Sequence, residues 1–238
     1  MVADMEWEDI GSALVVVAHP DDAEFGSAGT VARMADDGKP VTYVVVTDGS
    51  KGSSDPDMTP QRLTATRKDE QREATRIAGG RAVEFLDFPD GLLEPTLELR
   101  KAIAACIRRH KPDVVICQTP TRDLTVAPFA QHPDHLAAGE ATLAAVYPCA
   151  RDRMTFPELL SEGLEPHAVK EVWVVGTGVP DYYVDITSTI DRKLEALLAH
   201  HSQVDPERIK RMIPERAQQV GAAQGFEYAE AFRRIRMY

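Results

Sequence analysis

The sequence predicts an α/β chain: a mostly parallel sheet flanked by helices on both faces, with a small C-terminal extension. Two observations carry this prediction. Runs such as Leu14–Ala18 (LVVVA), Val41–Thr47 (VTYVVVT) and Asp113–Cys117 (DVVIC) are apolar almost throughout, as strands covered on both faces are. Segments with helical periodicity lie between them, and this alternation implies right-handed crossovers and a Rossmann-like sheet.

In chain order, the first strand is followed by a helix over Gly26–Asp37, with Val31 and Met34 or Ala35 toward the sheet and Gly38 as its stop. Val41–Thr47 ends in TDGSKGSSDPD, a loop rich in Gly, Ser and Asp, of which Asp48 and Gly49 lie nearest the strand end. Gln61–Ile77 reads as a charged amphipathic helix, Ala82–Leu86 as the third strand, and Thr96–His110 as a helix stopped before Lys111 and Pro112. After the fourth strand, Asp113–Cys117, an irregular stretch containing Pro120 and Pro128 leads to an alanine-rich helix over His135–Val146. Loops with a short helix are expected over Arg151–Lys170. Glu171–Val175 and Tyr182–Ile186 read as two further strands, with a turn marked by Gly176, Gly178 and Pro180. A helix capped by Thr187 or Ser188 then runs to about His200, and Pro206–Tyr238 is expected to be helical. A single domain over 1–238 is expected, its core at about 12–150 and its extension at about 151–238.

The totals narrow the function classes. A chain of 238 residues, 43% hydrophobic and 27% charged, is an ordinary globule in composition. Its formal net charge of -11 argues against sequence-independent binding to nucleic acid, which relies on Lys and Arg neutralising phosphates. No apolar run approaches the ~20 residues of a membrane span. The acidic start MVADMEWEDIGSA lacks the basic and apolar regions of a signal peptide, and Cys106, Cys117 and Cys149 are scattered. A cytoplasmic location is the expectation.

Chemistry concentrates in two clusters. The first strand runs directly into His19, Pro20, Asp21 and Asp22, at the strand end where open α/β sheets gather ligands. Gln131, His132, Pro133, Asp134 and His135 echo it later in the chain. In each cluster a ligand-type residue recurs three positions on, His19 with Asp22 and His132 with His135, so one turn holds each pair side by side. Two nitrogens and one carboxylate oxygen suit a three-ligand zinc site with an open catalytic position, and also suit Fe²⁺ or Co²⁺. The carboxylates in HPDDAEFGSAG stand where a pyrophosphate would sit, so the turn does not read as a dinucleotide site. The adjacent pair His200 and His201 points to different helical faces and reads as surface or cap rather than metal. Arg67 and Glu70 read as a solvated pair, and Asp90 before Gly91 as a turn aspartate, unless a ligand claims them.

At these residues the sequence resembles the LmbE-like (PIG-L-like) zinc-dependent N-deacetylases. The resemblance rests on AHPDDAEFG, TDGSKGSSD, RKDE, DFPDG and QHPDH, and reaches the tail through HHSQV and FEYAEAFRR. Two departures are visible: Ala23 intervenes before Glu24, and Leu136 stands where Arg often follows HPDH. What the resemblance implies is a set of roles. His19, Asp22 and His135 would bind Zn²⁺, which acidifies a water and polarises an amide carbonyl; Asp21 would take the water's proton. His132 would protonate the leaving amine and steady the oxyanion, with Asp134 hydrogen-bonded to it and raising its pKa. Arg67 and Asp90 would face the substrate. The implied reaction is removal of an N-acetyl group from a small-molecule N-acetylated amino sugar or its conjugate, by a homo-oligomer. Another amide, such as a thiol conjugate or antibiotic intermediate, is the alternative, and a non-catalytic sugar- or nucleotide-binding module is the remote one.

Overall fold

The computed structural model describes residues 5–124 and 131–237. Its elements are β1 (Ala13–Val17), α1 (Asp22–Asp36), β2 (Val41–Thr47), α2 (Pro60–Ala78), β3 (Ala82–Phe88), α3 (Leu97–His110), β4 (Val114–Gln118) and α4 (Pro133–Ala144). They continue with α5 (Glu158–Ser161), β5 (Glu171–Val175), β6 (Tyr182–Asp185), α6 (Ile190–Leu198), α7 (Pro206–Ala222) and β7 (Ala229–Arg236).

The strands form one seven-stranded sheet in the order β3-β2-β1-β4-β5-β7-β6. The pairs from β3 to β5 are parallel, and β7 pairs antiparallel with both β5 and β6. Side chains of β1 alternate between two cores, Leu14 and Val16 joining Ile103, Ile107 and Ala138 on one face, Val15 and Val17 joining Val31, Met34 and Ala74 on the other. Helices therefore cover both faces, which explains why the parallel strands are apolar throughout. Strand order reverses between β1 and β4, the switch point at which such sheets open a crevice beyond their carboxyl ends.

Several elements differ from the sequence expectation. α1 begins at Asp22 rather than Gly26, so the acidic motif is the helix's own first turn, the end of a helix where negative charge is favoured. The helix stops as expected at Gly38, whose φ is 71°. β5 and β6 are not neighbours: the expected all-helical tail supplies β7, which lies between them. The reason is a period of two in AFRRIR. Phe232 enters one core beside Trp173, Ile235 faces the other, and Arg234 reaches Glu171 Oε1 at 2.6 Å. α6 starts after Thr189 and not at Thr187 or Ser188, because Asp185 Oδ1 takes the N–H and hydroxyl of Thr187 at 2.9 and 2.6 Å. No described helix is long and apolar enough to cross a membrane.

Two features draw the helices to the site. Gly139 lets α4 approach the end of β4, since a Cβ there would meet Gln118 O at 2.4 Å. A buried ion pair ties the C-terminal segment to α1: Lys193 Nζ donates to Glu230 Oε1 at 2.6 Å and to the carbonyls of Glu24 and Phe25, while Glu230 accepts from Gly29 N and Thr30 N. Groups in the first turn and the middle of α1 are thus bound by α6 and β7. Truncating Lys193 leaves Glu230 buried with its counter-charge gone. Lys193→Ala is expected to lose about 3–5 kcal/mol of stability in urea unfolding, whereas a loss under about 1 kcal/mol would contradict this role.

Candidate active site

Beyond Val17, the chain turns between its neighbours: Ala18 N donates to Gln118 Oε1 at 2.9 Å and Ala18 O accepts from Thr47 N at 2.8 Å. This delivers His19, Asp21 and Asp22 to the carboxyl edge of the sheet. Asp21 has φ 100°, a left-handed conformation that costs a non-glycine residue about 1–3 kcal/mol. Across the switch point, His132 caps α4, its Nδ1 accepting from Asp134 N at 3.1 Å, with Pro133 in the first turn. His135, one turn on, faces back toward β1.

The two clusters meet. His19 Nδ1 lies 3.2 Å from His135 Nε2 and 3.3 Å from Asp22 Oδ2, and Asp22 Oδ1 lies 3.0 Å from His135 Nε2. Donors held ~2.0–2.2 Å from a tetrahedral zinc ion stand roughly 3.3–3.6 Å apart, so these atoms can hold a metal with little adjustment. The far nitrogen of His19 strengthens the fit. Nε2 faces Asp134 Oδ2 at 3.1 Å and Asp90 Oδ1 at 3.2 Å, so a proton held there frees the Nδ1 lone pair for a cation. Both carboxylates are anchored by backbone: Asp134 accepts from Gly91 N at 2.6 Å and Leu93 N at 3.2 Å, and Asp90 Oδ2 accepts from Lys51 N at 2.9 Å. A second group, His19, His132 and Asp134, also has its donor atoms close together.

The local charges follow from this crowding. Burial works against a charged His19, yet hydrogen bonds to Asp134, Asp22 and Asp90 push its pKa up to about 12. Burial opposes ionisation of Asp22 as well, but His135 and His19 hold it well below the usual carboxylate range. Asp90 falls to about 2 despite its burial, through His19 and Lys51 N. Asp21 moves the other way, up to about 7, because it is buried and stands beside the charge of Asp22.

The remaining predicted site residues are held by neighbours within the fold. Arg67 is buried beside the site: it donates to the carbonyls of Pro20 at 2.8 Å, Lys51 at 3.0 Å and Gly49 at 3.3 Å, and lies 3.6 Å from Asp21 and 3.8 Å from Asp90. A guanidinium removed from water takes whatever acceptors surround it. Glu70 is no solvated partner of Arg67 either, since it accepts from Ser202 N and Oγ at 2.8 and 2.7 Å. Asp90 faces His19, its Oδ1 3.2 Å from Nε2. Asp134 is 3.9 Å from His132 Nδ1 and hydrogen-bonds His19 instead, and the upward pull of its charge on the His132 pKa is outweighed. Burial and the neighbouring His19 hold that imidazole below its usual range. Asp48, expected at the mouth, accepts from Ser50 N and Asp90 N at 3.0 and 3.2 Å.

Sequence reasoning missed the residues behind the motif. Glu24, Gln71 and His200 are fully buried and hydrogen-bonded to one another. His200, expected at the surface, is held above its usual range by Glu24 in spite of burial, while His201 is the exposed member of the pair. A signal existed: Lys193, Leu197 and His200 follow one buried helical stripe.

Comparison with known proteins decides the family. The model for PIG-L, described as GlcNAc-PI de-N-acetylase, matches residues 14–146, which contain both clusters. A diacetylchitobiose deacetylase from Thermococcus kodakarensis is 32% identical over 95% of this chain and 84% of its own length. The chain belongs to the PIG-L (LmbE-like) deacetylase family. A second PIG-L relative, named probable N-acetyl-alpha-D-glucosaminyl L-malate deacetylase 2, from Bacillus anthracis, is 32% identical over 80% of each chain. The crystallised N,N'-diacetylchitobiose deacetylase from Pyrococcus horikoshii, complexed with its inhibitor MPG, superimposes with a TM-score of 0.88 at 29% identity, covering 97% of this chain and 85% of that one. The PIG-L match ends at residue 146, so His200 and the Glu230 staple belong to the segment beyond it.

The geometry predicts proton-linked metal binding. A cation can take Nδ1 of His19 only after its proton leaves, and a ligand pKa raised to about 12 keeps that proton on at neutral pH. Apparent zinc affinity is therefore expected to rise about tenfold per pH unit, with about one proton released per ion, in calorimetry repeated in buffers of different ionisation enthalpy. Affinity that does not change between about pH 6 and pH 8 would contradict the arrangement.

Proposed function

We propose that this PIG-L chain is a zinc-dependent hydrolase that removes the acetyl group from an N-acetylated amino sugar of the N-acetylglucosaminyl type, giving acetate and the free amine. The observation that carries the reading is the His19–Asp22–His135 donor set with Asp21 beside it, not among the mutually closest donors. Zinc rather than Fe²⁺ or Co²⁺ is the proposed metal, and the activities for which the relatives above are named supply the substrate class. The buried free thiols of Cys106, Cys117 and Cys149 suit the reducing cytoplasm as its proposed location.

When bound, zinc would polarise the acetamide carbonyl and lower the pKa of a water from ~15.7 toward ~7. Asp21 accepts the proton that this water loses. A base with a pKa near 7 combines availability with strength, and a dication in the triad would draw Asp21 somewhat lower, keeping it ionised at neutral pH. The nucleophile's oxygen bonds to the carbonyl carbon, negative charge moves to the acetamide oxygen, and the C–N bond then breaks with a proton delivered to the nitrogen. His132 Nδ1 is occupied by Asp134 N–H, so its proton sits on Nε2, from which it donates toward the developing oxyanion. Burial and the charge of His19 hold this imidazole below its usual range, so Asp21 is proposed to pass the proton it has taken on to the amine, in place of the acid role the resemblance implied for His132. Arg67 holds the carbonyl of Pro20 and so supports the turn that carries Asp21.

The test pairs metal content with acetate release from a panel of N-acetylated sugars. One zinc per chain and chelator-sensitive acetate are expected. Asp21→Ala should keep the metal and lose about 10²- to 10⁴-fold in turnover, whereas Asp22→Ala should lose the metal itself. Full turnover in Asp21→Ala removes it from the mechanism; release of a larger acid moves the substrate to another amide.

A further inference from the structure

Asp21 needs support to hold its left-handed backbone, and Gln71 on α2 provides it, Oε1 accepting the Asp21 N–H at 3.0 Å. A side-chain amide alone does not determine which end it presents, because half a turn about its last torsion exchanges oxygen for nitrogen. Glu24 decides the matter. Its carboxylate only accepts, so Gln71 must offer Nε2–H to Glu24 Oε1, at 2.9 Å, and this leaves Gln71 Oε1 for Asp21. The other oxygen of Glu24 accepts from His200 Nε2 at 3.2 Å. Glu24, Gln71 and His200 are all 0% exposed, so no bulk water can stand in for a lost member.

We infer that His200, Glu24 and Gln71 form a positioning relay that sets the backbone of Asp21 and so aims its carboxylate at the reacting water. His200 and Gln71 are then positioning residues, acting through Asp21. The inference rests on the proposed role of Asp21 as base. It also gives a catalytic reason for the turn after α6. That turn grips α2 at adjacent positions, His200 through Glu24 to Gln71 and Ser202 directly to Glu70. A chain segment about 180 residues beyond Asp21 thereby reaches the site without entering it.

The experiment uses the zinc-loaded full chain with His200→Phe, Gln71→Leu, the double variant, and His200→Gln, which can still place an N–H on Glu24. Amide hydrogen exchange reads the Asp21 backbone directly, with Val45 in the core of β2 as the reference for global opening. Asp21 is expected to exchange at least about tenfold faster in His200→Phe and Gln71→Leu while Val45 does not change, and His200→Gln should return it to within about threefold of the parent. With N,N'-diacetylchitobiose as probe, kcat should fall about tenfold or more with KM and zinc content within about twofold, and the double variant should be no slower than Gln71→Leu. Three results would overturn the relay: Asp21 exchange unaltered in His200→Phe, exchange of Asp21 and Val45 rising together in every variant including His200→Gln, or kcat losses that multiply in the double variant. Full turnover in Asp21→Ala would instead sink the base assignment, and the exchange measurement would still report on the relay by itself.

Discussion

Asp22, Asp90 and Asp134 all crowd one imidazole, that of His19, at distances of 3.1 to 3.3 Å, and the rest of the site depends on how that charge is balanced. Carboxylates taken out of water are costly unless cations or N–H groups meet them. Here Arg67 lies near Asp21 and Asp90, backbone N–H groups of Lys51, Gly91 and Leu93 take remaining oxygens, and His19 with His135 supplies the rest. A dication between His19, Asp22 and His135 would complete this balance, and a proton on His19 would substitute for part of it. The same concentration of charge separates two adjacent aspartates: Asp22, between the imidazoles, is held ionised, while Asp21 beside it is pushed toward neutrality. Neighbouring residues thereby acquire different chemistry from environment alone.

How much of this was legible in the sequence depended on whether a residue's partner was local. The parallel strands were legible because cover on both faces leaves an apolar run, and Val41–Thr47 and Glu171–Val175 have the boundaries expected of them. β7 was not, because the slot that Phe232 and Arg234 occupy exists only once Trp173 and Glu171 are in place on β5. The meeting of His19, Asp22 and His135 could be anticipated, since both clusters lie beyond strand ends that the fold brings together. Arg67, Asp90 and Asp134 could not be placed, because their orientation is set by which buried donors and acceptors lie nearby, a property of loops whose paths the sequence does not encode in any simple pattern. His200 fell between these cases, on a legible buried stripe but with an illegible partner, Glu24.

The C-terminal segment is where fold and site become inseparable. Glu230 binds helix groups in the middle of α1, while Lys193 and His200 reach its first turn, Lys193 at the carbonyls of Glu24 and Phe25 and His200 at the Glu24 carboxylate. α1 begins at Asp22 with Asp21 as its cap residue, so the helix that presents the motif is held at several points by residues more than 150 positions away. Rigid support of this kind is what a metal-type site requires, since small displacements of a base or ligand are costly in rate.

The most direct test is anomalous diffraction at the zinc edge from crystals of the metal-loaded protein. A single peak within ~2.0–2.2 Å of His19 Nδ1, His135 Nε2 and a carboxylate oxygen of Asp22 is the predicted result, with Asp21 close by and His19 Nε2 still facing Asp90 and Asp134. A peak between His19, His132 and Asp134, or no bound metal at saturating zinc, would contradict the account.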